Sequence, residues 1–196
     1  MRVVIRQLEV SDLTIFKEYQ KNSRKGLELL YERYKKYVYS IAFHYSGNRE
    51  DAMDITQEVF ISVFKAFGGF KEEYSILPWI KKITVNKCLN FIRSRRESVS
   101  LNETNEHGDE LQNIVCSSDT AEAAIVCRDT KKALEEAIKK LPDKQRMAVL
   151  LRHMKHMKYE EIAGTMKLPA GTVKTLIHKG RAAIKENLVK QGVWEL

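Results

Sequence analysis

The chain has 196 residues, 43% of them hydrophobic, with 3 prolines, 9 glycines and a formal net charge of +8. It is long enough for one medium domain or two small ones, and so few prolines and glycines favour helices over a turn-rich sheet protein. No run of 18 or more apolar residues occurs, which excludes a membrane span, and MRVVIRQLEVSDL is interrupted by charge too early for a secretory signal.

The charge is arranged in blocks. Residues 1–97 carry 18 Lys and Arg against 12 Asp and Glu, residues 98–127 carry none against 6, and residues 128–196 carry 16 against 8. Two basic blocks flanking an anionic segment suit a polyanion gripped twice, with binding driven by counterion release. The cysteines Cys88, Cys116 and Cys127 are odd in number and scattered, as expected of reduced intracellular thiols in a cytoplasmic protein.

Taken in chain order, Leu27, Leu30, Tyr31, Tyr34, Val38, Ile41 and Ala42 recur at three- and four-residue steps and predict a helix with an inward apolar face. Ser46-Gly47-Asn48 predicts a turn. A second helix is expected from Arg49 to Phe67, with Ala52, Ile55, Val59, Phe60, Val63 and Phe67 inward and Gly68-Gly69 as its stop. A loop, Phe70 to Leu77, comes next. Pro78 suits the first turn of a third helix reaching about Arg96, with Trp79, Ile80, Ile83, Cys88, Leu89 and Ile92 on its apolar face. Its polar stripe is Lys82, Asn86, Asn90 and Arg93, where amides can pair with base edges and cations can hold phosphates. In the loop before it, Tyr74 and Ser75 could stack on or hydrogen-bond an unpaired base.

Residues 98–127, rich in Ser, Asn, Thr, Asp and Glu, read as a flexible acidic linker that turns helical only from Thr120. Thr130 to Lys140 is amphipathic, Leu141-Pro142-Asp143 breaks it, and Asp143 is placed to cap a helix Lys144 to His153. The last unit, YEEIAGTMKLPAGTVKTLIHKGRAAIKENL, has the spacing of a helix-turn-helix. Ile162, Ala163 and Met166 turn inward from its first helix, Lys167 to Ala170 form the turn, and Val173 anchors the second helix with Leu176 or Ile177 and Ile184. Such a second helix enters the major groove with its N-terminal half. Lys174, Thr175, His178 and Lys179 share its exposed side and can reach base edges or phosphates.

Four motifs together resemble the extracytoplasmic-function group of bacterial sigma factors: EDAMDITQEVFISVFKAF, PWIKKITVNKCLNFIRSRR, LPDKQRMAVLLRH and YEEIAGTMKLPAGTVKTLIHKGR. The resemblance covers about Leu27–Arg96 and Arg128–Leu188. It implies an all-α protein of two helical domains: 1–97, which would bind the polymerase clamp and recognise and melt the −10 element; the linker 98–127; and 128–196, a helix-turn-helix domain for the −35 element. It further implies that Asp54, Gln57, Glu58 and Phe60 dock on the clamp helices of the RNA polymerase β′ subunit. Lys71, Tyr74, Ser75, Lys82, Asn86, Asn90 and Arg93 would serve the −10 element, and Lys174, Thr175, His178, Lys179 and Arg181 the −35 duplex. The linker would thread toward the RNA exit path. The implied partners are core polymerase (β′ clamp and β flap), promoter DNA and an anti-sigma factor, often membrane-anchored, with no cofactor, metal or catalytic residue. Free protein is expected to bind promoter DNA poorly, its domains closing on each other or on an inhibitor.

Several positions depart from the family pattern. Leu176 replaces a common arginine, Lys167 a common turn glycine, and Asn90 a common aspartate. Ser75-Ile76-Leu77-Pro78 stands where an aromatic-basic stretch is usual, and residues 1–25 match weakly. Two other readings compete. A stand-alone dimeric helix-turn-helix regulator would have to dimerise through residues 25–96, which carry their own basic stripe. A Mg²⁺ nuclease could use Asp51, Asp54 and Glu58, but no second carboxylate cluster or histidine base accompanies them.

Overall fold

In this computed structural model the described residues are 10–99 and 121–194, with the side chains of Ile92, residues 95–99 and residues 121–128 left aside. Eight helices are described: α1 (Asp12–Lys21), α2 (Ser23–Ser46), α3 (Arg49–Phe67), α4 (Ile76–Val99), α5 (Ala121–Lys139), α6 (Asp143–His153), α7 (Tyr159–Met166) and α8 (Ala170–Lys190). The expected all-α architecture is observed. The linker's centre, with Cys116, lies outside the described residues.

α1 to α4 form the first body. Its core includes Leu30, Val38, Ile41, Ala42, Ala52, Ile55, Val59, Val63 and Phe67 from the set expected from periodicity, joined by Ile15 and Phe16 from α1 and by Ile76, Ile80, Val85 and Cys88 from α4. Asn48 starts α3 by accepting the Asp51 N–H at 2.8 Å. Gly47 closes α2 in the left-handed conformation, φ 79°, where a β-carbon would also collide with the Lys139 side chain. Tyr31, expected inward, is instead 39% exposed; it leans edge-on against Phe60 at 4.8 Å.

α4 starts two residues before the expected Pro78 region, at Ile76, for a reason that lies far off in sequence. The Asp12 carboxylate accepts the Ile76 N–H at 3.0 Å and the Tyr34 hydroxyl at 2.6 Å, and it faces Arg33 at 3.4 Å. One acid on α1 thus satisfies an orphan N–H at the start of α4. Burial, then the bond to Asp12, pushes the Tyr34 hydroxyl up to about 12.

α5 to α8 form the second body. Asp143 is not the cap of α6: Pro142 occupies the cap position and Asp143 is the first helical residue. There its charge complements the helix N-terminus without an N-cap bond. α6 and α8 touch closely at Gly180, where a β-carbon would lie 2.7 Å from Val149.

The two bodies pack together, α2 and α4 against α6 and α7, and one buried cluster runs through both, from Tyr45 to Met147, Leu150 and Leu151. Arg146, 7% exposed, crosses the joint and donates to the Tyr45 carbonyl at 3.1 Å. Half-buried His44 lies on the α2 side of it. Its pKa is lowered by burial and then by Lys155 and Lys131; that of His153 is lowered by burial and then by Arg181, Arg152 and His156. A base depressed in the folded state contributes stability that is full above its unfolded pKa, about 6.5, and is lost as pH falls. Urea midpoints should therefore be level above pH 6.5 and decline below it, less steeply in His44→Asn; an unchanged slope in that variant would remove His44 as a cause.

Candidate nucleic-acid interface

The helix-turn-helix is built as its spacing indicates. Ile162, Val173 and Ile177 are buried between α7 and α8. The Glu161 carboxylate accepts the Lys158 N–H at 2.7 Å and starts α7. Lys167 ends it in the left-handed conformation, φ 54°, while the Leu168 N–H reaches back to Ala163 O at 3.0 Å. This is the strain expected where glycine is usual, since an L side chain meets its own backbone there. Lys167→Gly should raise stability by about 0.5–1 kcal/mol, the relief exceeding glycine's entropic cost. The check is a thermal midpoint higher by about 2 °C; a lower midpoint would contradict it.

Lys174, Thr175, His178, Lys179 and Arg181 are all exposed on α8. The Thr175 hydroxyl donates to Gly171 O at 3.0 Å, which leaves its oxygen able to accept. Pro169 caps α8 without a side-chain bond, and Ala170, Gly171 and Thr172 stand exposed, so this helix start is accessible from solvent. Leu176, where the family pattern favours arginine, is half-buried against the core, so at that position the side chain serves packing.

A second polar face lies on α4. Lys82, Asn90 and Arg93 are exposed and Asn86 is half-buried. The turn leading to it closes through the Tyr74 N–H to Lys71 O at 3.1 Å, and presents Lys71, Ser75 and Tyr74, the last 60% exposed. Beneath the turn, Phe70 packs on Trp79 at 4.6 Å and stacks on Phe16 at 5.8 Å and Phe67 at 6.2 Å. Trp79 is therefore part of the support under the loop, as its helical spacing indicated, and Tyr74 is the aromatic ring offered to solvent.

A third surface lies between α2 and α3, a groove of about 610 Å³ lined by Tyr31, Met53, Asp54, Gln57 and Ile61 among others. Met53 and Ile61 are 54% and 46% exposed, an apolar pair with no charge pattern to mark it in the sequence. Of the four residues expected here, Asp54 and Gln57 are exposed. Glu58 pairs with Lys87 of α4 at 3.1 Å. Phe60 is only 3% exposed, so its place is beneath the groove, supporting Tyr31. The three carboxylates considered for a metal do not converge: Asp51 accepts from the Asn48 amide at 2.6 Å, Glu58 is held by Lys87, and among the described residues no group of three or more His, Cys, Asp or Glu could hold a metal ion. No described helix is long and apolar enough to cross a membrane.

Against known proteins, residues 30–98 match the Sigma-70 region 2 family model and residues 131–184 match that of Sigma-70, region 4. The chain is 30% identical over 183 residues to the ECF RNA polymerase sigma-E factor of Escherichia coli, covering 90% of this chain and 93% of that protein. It is 28% identical over 175 residues to the ECF RNA polymerase sigma factor SigW of Bacillus subtilis, covering 88% and 94%. Among solved structures, the sigma factor RpoE in complex with the anti-sigma factor NepR from Bartonella quintana has a TM-score of 0.64 at 17% identity, covering 84% of this chain and 97% of that one. CnrH in complex with the cytosolic domain of CnrY has a TM-score of 0.61 at 19% identity, covering 92% and 98%.

Proposed function

We propose a division of labour that starts from one premise: this chain belongs to the extracytoplasmic-function sigma factors of RNA polymerase, the subunits that direct transcription initiation. As an alternative sigma factor it acts with core polymerase at promoters. The observation that carries the assignment of surfaces is that two exposed polar faces, on α4 and on α8, stand on the two bodies that match the two sigma regions. In this reading Lys174, Thr175, His178, Lys179 and Arg181 read the −35 duplex. Lys82, Asn86, Asn90 and Arg93 grip the −10 region, while Tyr74 and Ser75 capture an unpaired base. That capture trades unstacking, a few kcal/mol, for contacts at the loop and needs no nucleotide hydrolysis. The groove of Met53, Asp54, Gln57 and Ile61 takes the polymerase β′ clamp, and the second body takes the β flap. No chemistry is assigned to the chain itself, which works in the cytoplasm. The two structural relatives are in complex with other proteins, RpoE with the anti-sigma factor NepR and CnrH with the cytosolic domain of CnrY. An inhibitory protein of that kind, membrane-anchored or free, is proposed to hold this chain as well.

The test adds purified chain to core polymerase and a promoter library. Promoter-specific initiation is expected, with the free chain binding the same DNA weakly. Lys174→Ala should weaken the −35 contact and lower the salt slope by about 1. Tight specific operator binding without polymerase would favour a dimeric regulator instead, and Mg²⁺-dependent cleavage an enzyme; either result would end the sigma assignment.

A further inference from the structure

The packed arrangement leaves both polar faces open, since Lys82, Asn90, Arg93 and the five residues of α8 are exposed. Closure therefore does not hide the reading faces; it fixes how far apart they are. A compact body of 196 residues is roughly 40 Å across. The −10 and −35 elements are separated by 25 base pairs, about 85 Å along the duplex. One packed body cannot touch both, so promoter reading requires the bodies to part. This step rests on the assignment of the two faces made above.

Beside the buried cluster and Arg146, one polar contact resists parting from the rim of the joint. Met154 to Lys158 connects α6 to α7, and His156 within it is held at φ 51°, a left-handed conformation that favours glycine. This strained loop delivers Lys155 across the joint. Its ammonium donates to the Ser40 hydroxyl at 2.8 Å and lies 5.0 Å from the centre of the Tyr37 ring, whose other cation, Lys81, is at 5.8 Å. The Tyr37 hydroxyl is buried there with no hydrogen-bond partner among the described residues. Lys81 of α4 disfavours the charge on Lys155, Lys155 and Lys131 of α5 do the same to His44 of α2, and Glu161 of α7 is the carboxylate felt by Tyr37. A cation seated on a ring and a hydroxyl, with no carboxylate among the described residues bonded to it, makes a catch that holds without locking.

We propose that Lys155, seated on Ser40 and Tyr37, is the catch of an autoinhibitory closed state, and that its release sets the fraction of protein able to span a promoter. Two substitutions move it in opposite directions. Lys155→Met keeps the stem and removes the ammonium. Ser40→Asp supplies the missing carboxylate and converts the catch into an ion pair. Single-molecule energy transfer between one dye on each body, in full-length protein without polymerase, reads the open fraction. The concentration giving half-maximal initiation with core polymerase reads its consequence, because apparent affinity scales with the competent fraction.

Lys155→Met should raise the open fraction roughly tenfold and lower that concentration by a similar factor. Ser40→Asp should shift both the other way, and should lose its effect in the Lys155→Met background. An open fraction unchanged in Lys155→Met overturns the proposal, and so does an opened variant that initiates no better than the parent. Failure of the parent chain to support initiation at all would count against the sigma assignment; the energy-transfer result, obtained without polymerase, would still decide whether Lys155 is the catch.

Discussion

Replacing Arg146 with methionine is expected to lower the unfolding free energy by about 3 kcal/mol. The guanidinium is 7% exposed and spends its fixed fork of donors on carbonyls from two bodies. One nitrogen donates to Tyr45 O at 3.1 Å, in the last turn of α2. Another donates to Leu141 O at 3.3 Å and also reaches Lys139 O, at the end of α5. The guanidinium carbon lies 5.6 Å from the centre of the Tyr45 ring. Carbonyls in the last turn of a helix have no partner within it, and a positive charge there opposes the negative end of the helix dipole. Methionine fills much of the volume, so the loss would come from carbonyls left buried and unpaired and not from a cavity. Arg146→Lys should recover little, because one compact ammonium cannot serve three divergent acceptors. Urea unfolding of the intact chain measures both variants; a change below about 0.5 kcal/mol in Arg146→Met would mean that water replaces the guanidinium at no cost.

Arg146 also marks the boundary of what the sequence discloses. Features carried by neighbours in the chain were legible. The turn at Gly47, the span Arg49–Phe67, the inward set along α3 and the anchoring of α8 by Val173 all follow from spacing and turn chemistry. The place of Lys167 at a usual glycine position was legible too, being a property of one residue in one turn. What could not be read were partnerships between residues far apart. Asp12 begins α4 across 64 positions, Arg146 reaches Tyr45 across 101 and Lys155 reaches Ser40 across 115. An aspartate in a weakly matching N-terminus carries no local sign of such a role. The assignment of Asp143 as a cap failed in a related way: a good capping residue was present, but the preceding proline's extended backbone took the cap position and moved it one residue inward. Residues of the candidate interface on α4 and α8 were legible because an amphipathic helix declares its exposed side. The groove of Met53 and Ile61 was not, because exposed apolar residues look like core residues until a fold shows which way they face.

That groove supplies the second large effect: Ile61→Asp should weaken binding to core polymerase by more than tenfold, about 2 kcal/mol, while leaving the unfolding midpoint within a degree or so of the parent. Ile61 is 46% exposed, so its replacement removes little core and creates no cavity. In the docked state it would be covered together with Met53 and Tyr31, and a carboxylate placed there would have to shed water with no cation arranged to receive it. Phe60 makes the instructive contrast. Phe60→Ala should also weaken binding, because Tyr31 leans on its ring at 4.8 Å, but it would cost about 3–5 kcal/mol of fold stability as well. Glu58 is a third case: its bond to Lys87 couples α3 to α4, so Glu58→Ala mixes a lost contact with a shift of α4. Only Ile61, Met53, Asp54 and Gln57 can report docking cleanly. Equilibrium binding of labelled chain to core polymerase, with melting curves run on the same samples, separates these cases. If Ile61→Asp binds polymerase as the parent does, the groove between α2 and α3 is not the docking surface, and Asp54→Ala should then be equally silent. If it loses binding with its fold intact, the apolar pair supplies the affinity and the flanking Asp54 and Gln57 set orientation, an arrangement in which a buried centre carries the energy and a polar rim carries the specificity.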